Sequence, residues 1–404
     1  MRKIPELLAP AGNLRCLQTA IRFGADAVYM GSDRFSLRAK AKNFKEETLS
    51  SAIALAHTSG VKVYITLNIF AFDDDLDEIE TAACHAKEAG ADAVIVSDIG
   101  AAERIHRAVP ELPIHASTQA NITNAVAAEV WSRAGATRII LARELSVKRI
   151  ASMVKALPEK LELEAFVHGS MCMAWSGRCF LSAEINGRSA NRGLCTQPCR
   201  WSWTAEETGK PENRLFIEEG EAGSEIFSSQ DLCMLDYLAD LRDAGVSCFK
   251  IEGRTKSEYY VGTVTGAYRR RMNSVFSGAS WTNEAGELLA ISHRPYSTGF
   301  YFGTPQHTAY RQTEPGEREY MAYVLETQAE RTLVEMKNRF SVGDQLETVT
   351  PEGSQMFTVQ DLTLADTGEK VSSVLVPGQK VYLNCPVALT AGDMLRGPLR
   401  NRKK

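Results

Sequence analysis

Five times in the first 251 residues a glycine leads straight into a short run of strand-forming apolar residues, and this recurrence constrains the fold more than any other feature of the chain. Gly24 precedes Ala25-Asp26-Ala27-Val28-Tyr29-Met30, and Gly60 precedes Val61-Lys62-Val63-Tyr64-Ile65-Thr66-Leu67. Gly90, Gly135 and Gly245 lead into Ala91–Val96, Ala136–Leu141 and Val246–Ile251. A glycine just past a helix supplies a left-handed cap, and an apolar run without alternation suits a strand buried on both faces. Three further runs, Glu6–Ala9, Leu112–Ala116 and Leu161–Val167, bring the count to eight. Segments such as 76–89 and 121–134 carry helical spacing between them. Eight strands alternating with helices over about 250 residues is the rhythm of a (β/α)8 TIM-like barrel. A doubly wound open sheet is the competitor, and the count of eight favours the barrel.

The barrel is expected to occupy residues 1–275, with a linker and helical piece over 276–317. From about Glu319 the texture changes to short alternating runs separated by turns such as Pro351-Glu352-Gly353 and Val376-Pro377-Gly378. Residues 318–404 therefore read as a small C-terminal all-β domain with a basic tail. The chain has 404 residues, 44% hydrophobic and 24% charged, which excludes a mostly disordered protein. A net charge of -4 means that any nucleic-acid partner needs a local basic patch. Arg269-Arg270-Arg271 and the tail from Arg396 are candidates, although such runs are usually solvated surface. No apolar run reaches the ~20 residues that span a bilayer, and Pro5 and Glu6 interrupt the start of the chain as no signal peptide would. A cytoplasmic protein with no membrane partner is expected.

One stretch breaks the rhythm. Residues 169–235 form a loop far longer than a barrel needs, and it leaves from the end of a strand where barrels place their active sites. It holds Cys172, Cys179, Cys195, Cys199 and Cys233, five of nine cysteines. In a reducing compartment such a cluster points to metal or redox chemistry. The absence of tight Cys-x2-Cys knuckles favours an iron–sulfur cluster over structural zinc. Five thiols for four places leaves Cys199 and Cys233 competing for the last. Cys16, Cys84, Cys248 and Cys385 fall in helix or strand patterns and read as packing residues.

Polar residues gather at the expected strand ends: Asn68, Asp98, His115 with Ser117, Thr118 and Gln119, then Arg143-Glu144, His168, and Lys250, Glu252 and Arg254. In a barrel these converge on one mouth. Asp98 and Glu144 equally suit caps or salt bridges, and His115 and His168 could each be a satisfied interior histidine. The arginines and Lys250 suit an anionic substrate.

These motifs resemble peptidase family U32, the collagenase-like peptidases. The resemblance rests on Glu6–Asn13, Phe35–Lys40, His115–Gln119 and Phe166–Cys172. It continues through Ser176–Cys179, Asn191–Cys195, Gln197–Trp201 and Lys250–Arg254. Despite the label, it implies an oxygen-independent hydroxylase with a 4Fe-4S cluster on the loop cysteines. One branch of the family converts the wobble uridine of tRNA to 5-hydroxyuridine with prephenate as hydroxyl donor; another acts on ubiquinone precursors. Lys337–Asp344 with Leu346-Glu347 is similar to the β-domain of the tRNA branch.

The resemblance thus implies tRNA and prephenate, or a similar small dicarboxylate, as partners, with collagenase-like peptidase activity doubtful. Arg38, Arg143, Lys250 and Arg254 are assigned to the dicarboxylate, with His115 and Gln119 as further substrate contacts. His168, Lys250 and Glu252 are the catalytic candidates. Trp201 and Trp203 could stack on a base or simply pack under the loop, and Lys337, Arg339 and the tail could hold the tRNA body.

Overall fold

The computed structural model describes residues 3–32, 34–37, 44–158, 160–201, 230–280, 285–304, 314–328 and 331–399. It divides into two compact units, the first comprising Met1–Leu14, Asp26–Thr255 and Arg294–Thr313. Its sheet contains β1 (Glu6–Pro10), β2 (Ala27–Gly31), β3 (Lys62–Leu67), β4 (Ala93–Val96), β5 (Ile114–Ala116) and β6 (Ala136–Ile140). It continues with β7 (Glu162–Ser170), β8 (Asp231–Cys233), β9 (Cys248–Ile251) and β10 (Tyr296–Ser297).

Strands β1 to β7 pair in order, all parallel. Parallel pairing of β9 with both β1 and β7 closes the ring. The eight strands expected from the sequence are the eight of this barrel. Every residue of β2, β4 and β9 is buried, as their unbroken apolar runs require. Gly24, Gly60, Gly90, Gly135 and Gly245 all have φ between +72° and +106°, the left-handed cap.

Strands β8 and β10 stand outside the ring: β8 runs antiparallel to the end of β7, and β10 lies parallel to β8. The carboxylate of Asp231 accepts from the Arg294 guanidinium at 2.7 Å and from the Arg294 backbone N–H at 3.0 Å, tying these outer strands together.

The second unit comprises Arg15–Ala25, Lys256–His293 and Glu314–Lys404. Its antiparallel seven-stranded sheet is led by the strands Arg318–Gln328, Arg331–Met336 and Met394–Pro398. Met321, Val324, Val334, Phe340, Leu346 and Leu395 are among the buried residues of its core. The helix Glu258–Ser277 belongs to this unit. Its arginines serve as structural ties: Arg269 Nε donates to the Gly24 carbonyl at 2.7 Å, and Arg270 to that of Pro351 at 2.9 Å. Buried Arg396 pairs with Glu347 at 2.6 Å and Glu287 at 2.8 Å. Lys337 pairs with Glu335 at 2.8 Å and Glu258 at 3.3 Å, whereas Arg339 is exposed. The tail from residue 400 lies outside the described residues.

Candidate functional site

Successive side chains on a strand point to opposite faces, so residues two apart enter the barrel one layer apart. Tyr29, Thr66, Ile95, Ile140, Phe166 and Lys250 floor a cavity of about 430 Å3 at the C-terminal mouth. Two positions earlier on four of those strands stand Tyr64, Arg138, Glu164 and Cys248, the layer beneath. There Arg138 donates to Glu162 at 2.7 Å and Glu6 at 2.8 Å, and lies 3.4 Å from Glu164. The Tyr64 hydroxyl also donates to Glu6, at 2.8 Å. Burial pushes the Glu6 carboxyl up, but Arg138 outweighs it and holds the group below the ordinary range.

Lys250 links the two layers. Its ammonium is 2.8 Å from Glu164 Oε1, on the far side of the carboxylate that Arg138 approaches, and 4.5 Å from the Tyr29 ring centroid. Beside it, the Arg143 guanidinium lies 4.2 Å from the Phe166 ring centroid and 3.7 Å from Glu252. The buried Arg143 Nε has no hydrogen-bond partner among the described residues. Arg254 is buried and donates to the hydroxyls of Ser36 and, at 2.7 Å, Thr66. These three cations, with Glu252, Gln119 and Asn68, are on the cavity wall.

The cysteine segment lines the same cavity, and it is pinned to the loops of the barrel. Gly177 has φ +72°, and a Cβ there would sit 2.0 Å from the Gln119 carbonyl oxygen, so no larger residue fits that approach. Gly193, φ +84°, approaches Ser36 in the same way. The Ser176 backbone N–H donates to Glu144 at 2.8 Å, the structural role expected for that carboxylate. Arg192 grips Asp75 at 2.6 and 3.1 Å, and Asn191 Nδ2 donates to the Cys179 carbonyl at 3.0 Å.

Cys172, Cys179, Cys195 and Cys199 all line the cavity, and all are free thiols. Arg143 donates to Cys172 Sγ at 3.8 Å, and the Gln197 backbone N–H to Cys195 Sγ at 3.4 Å. Burial, against the pull of Arg200, pushes the Cys199 thiol up to about 11, and the charges of Cys172, Cys195 and Cys179 add to the rise. Four cavity-lining thiols, two of them met by N–H donors, make a donor set that suits iron and sulfide. Among the described residues, no three His, Cys, Asp or Glu side chains converge as a single-ion cage does.

The remaining candidates are placed elsewhere. Cys233 is on β8, paired with His168, and is not on the cavity wall, which leaves Cys199 with the other three. His168 is not at a strand end: β7 runs on to Ser170, and the register shifts between Phe166 and His168. Such an irregularity re-aims the side chain. The His168 ring packs 5.4 Å from Tyr296, buried and off the wall. His115 sits in the middle of β5, so it points into the barrel below the mouth, edge-on to Tyr64 at 4.6 Å. Asp98 caps the helix Ile99–Ala108, accepting from the Ala101 N–H at 2.9 Å. Trp201 is partly exposed and not on the wall, while Arg38 and Trp203 lie outside the described residues. Sequence reading missed Arg138 and Glu164; the signal was a lone charge in the otherwise apolar run of β6 and, on β7, a glutamate at the same alternation as Phe166.

A parallel (β/α)8 barrel whose mouth faces a pinned wall of four thiols, followed by an antiparallel β-domain, defines the class. The sequence model of peptidase family U32 matches residues 12–311, and that of the peptidase family U32 C-terminal domain matches 317–396. The chain belongs to peptidase family U32. It is 35% identical over 428 residues to the Escherichia coli protein named tRNA hydroxylation protein P, covering 95% of this chain and 94% of that one. It is 37% identical to the E. coli 23S rRNA 5-hydroxycytidine synthase, over 71% of this chain and 41% of that protein. A Porphyromonas gingivalis protein named collagenase is 33% identical, over 74% of this chain and 73% of its own length.

Proposed function

We propose that this protein hydroxylates RNA, and more narrowly that it converts the wobble uridine of tRNA to 5-hydroxyuridine with prephenate or a similar dicarboxylate as donor. The observation that carries the reading is one cavity lined by four thiols together with Arg143, Lys250 and Arg254. The near full-length match to a tRNA hydroxylation protein, C-terminal domain included, supports the RNA half.

In this reading Cys172, Cys179, Cys195 and Cys199 hold a 4Fe-4S cluster, which supplies one-electron chemistry at the cavity. Replacing the C5 hydrogen of uridine by hydroxyl oxidises the base by two electrons. The donor is reduced equally as its C–OH becomes C–H. Two carboxylates on the donor match the cations of the mouth, with Arg143 offering planar two-point binding and Lys250 a point charge fixed by Glu164. Glu252, on the same wall, is the carboxylate that takes up a proton within reach of substrate.

Anaerobic purification followed by iron and acid-labile sulfide analysis tests the centre. The wild type and Cys233→Ala should carry it and Cys199→Ala should lose it. Deleting the gene should remove 5-hydroxyuridine-derived nucleosides from tRNA. Unchanged tRNA nucleosides, with gelatin cleaved by pure protein that tolerates Cys172→Ala, would favour the peptidase reading instead.

A further inference from the structure

The mouth cavity has a neighbour that the reaction above does not use. A second hollow of about 400 Å3 is walled by Phe72 after β3, Asp98 after β4, Trp131, and Arg178 and Arg192 from the cysteine segment. Gln119 and Asn191 line both hollows, so the two adjoin. Each has the volume of a small-ligand site.

Phe72 is 63% exposed, an unusual position for a ring held this firmly. The Arg192 guanidinium covers it at 4.8 Å from the centroid and is itself clamped by both oxygens of Asp75. The Phe72 backbone N–H donates to Asp75 at 2.8 Å. Two positions earlier, the Phe70 N–H donates to the Asn191 carbonyl at 2.8 Å and the Phe70 carbonyl accepts from Arg192 at 2.9 Å. The ring is therefore preorganised at an open face. Arg178 is exposed, and its guanidinium has no side-chain partner among the described residues. The Asp98 carboxylate in the same hollow disfavours a free anion and suits the donor edge of a base.

We propose that this side hollow is a subsite for the nucleotide adjoining the one that enters the mouth cavity. Its base stacks on Phe72, and the phosphodiester between the two nucleotides meets Arg178. The inference rests on the RNA reading and deepens it: the substrate is a single strand with two consecutive bases splayed into adjoining hollows, a mode typical of single-stranded RNA recognition.

The test uses the holoenzyme and a synthetic stem-loop RNA carrying the unmodified target uridine, with versions abasic at the 5′ or the 3′ neighbour. Affinity is read by fluorescence anisotropy and product by mass spectrometry of nucleosides. Phe72→Ala should weaken binding at least about fivefold, the lower bound for one lost stack. One of the two abasic RNAs should weaken wild-type binding by a similar factor, yet cost nothing further in Phe72→Ala. Arg178→Gln should lower the salt dependence of binding by about one counterion on intact and abasic RNA alike. Unaltered binding by Phe72→Ala, or losses that multiply, overturns the subsite. Hydroxylated product with multiplying losses sinks the subsite alone. A coupled cycle without product sinks the hydroxylase reading alone, and a wild type that binds no RNA sinks both. Both side chains are exposed, so the variants should melt as the wild type does.

Discussion

Two layers of charge are stacked inside the barrel, and they are built differently. In the deeper layer Arg138 meets Glu6, Glu162 and Glu164, so the buried cation is surrounded by carboxylates, of which Glu164 is fully buried and Glu162 reaches solvent. In the upper layer Arg143 has a carboxylate at 3.7 Å, a ring beneath it and a buried donor with no partner among the described residues, and it lines a cavity. Removing one partner from a closed buried network leaves uncompensated charge, which is a stability cost. An open network instead has capacity for a ligand. Glu164 belongs to both, taking Arg138 on one oxygen and Lys250 on the other, so the deep layer orients a side chain of the mouth.

That contrast can be broken in four places. Arg138→Met should cost about 3 kcal/mol in denaturant unfolding because it leaves the buried Glu164 with Lys250 and no second cation among the described residues, while leaving the KM for the proposed donor nearly unchanged. A large KM change with little loss of stability would reverse the roles of the two layers. Gly177→Ala forces a left-handed alanine, roughly 1–2 kcal/mol of strain, against the Gln119 carbonyl. Iron held by the proposed cluster should fall sharply while the barrel keeps its circular dichroism. Arg143→Lys retains charge but loses planar two-point binding, so the donor KM should rise about tenfold with melting unchanged.

The smallest effect concerns His115. Burial first, then the charges of Arg138, Lys250 and Lys62, hold its imidazole well below the usual range. The unfolded chain binds a proton near pH 6.5 that the folded chain refuses. Stability therefore falls as pH drops below about 6.5, by at most about 1.4 kcal/mol per pH unit from this group. His115→Phe should flatten that slope in urea titrations at successive pH values; an identical slope would show that the ring titrates freely.

The ring of strands was legible because a strand buried on both faces has a continuous apolar sequence and a glycine that ends the preceding helix. The thiol wall was legible from spacing, since Cys172, Cys179 and Cys195 fall on one excursion. Between Cys199 and Cys233 the sequence was silent, because only the antiparallel return of β8 carries Cys233 off the wall. His168 was misplaced for a related reason: the irregular register after Phe166 is set by pairing with β8 and β9, not by local composition. The charged layer went unread because Arg138 and Glu164 each look like an exception until the two-residue alternation puts them in the same plane.

The closure of the ring by β9 directly on β7 has a wider meaning. The described part of the cysteine segment, residues 171–201, lies between two strands that pair with each other, so it is an addition to a circle already complete without it. A lineage could lengthen, reshape or exchange that addition, and with it the thiols at the opening, while the strand pairing of the scaffold stayed as it is.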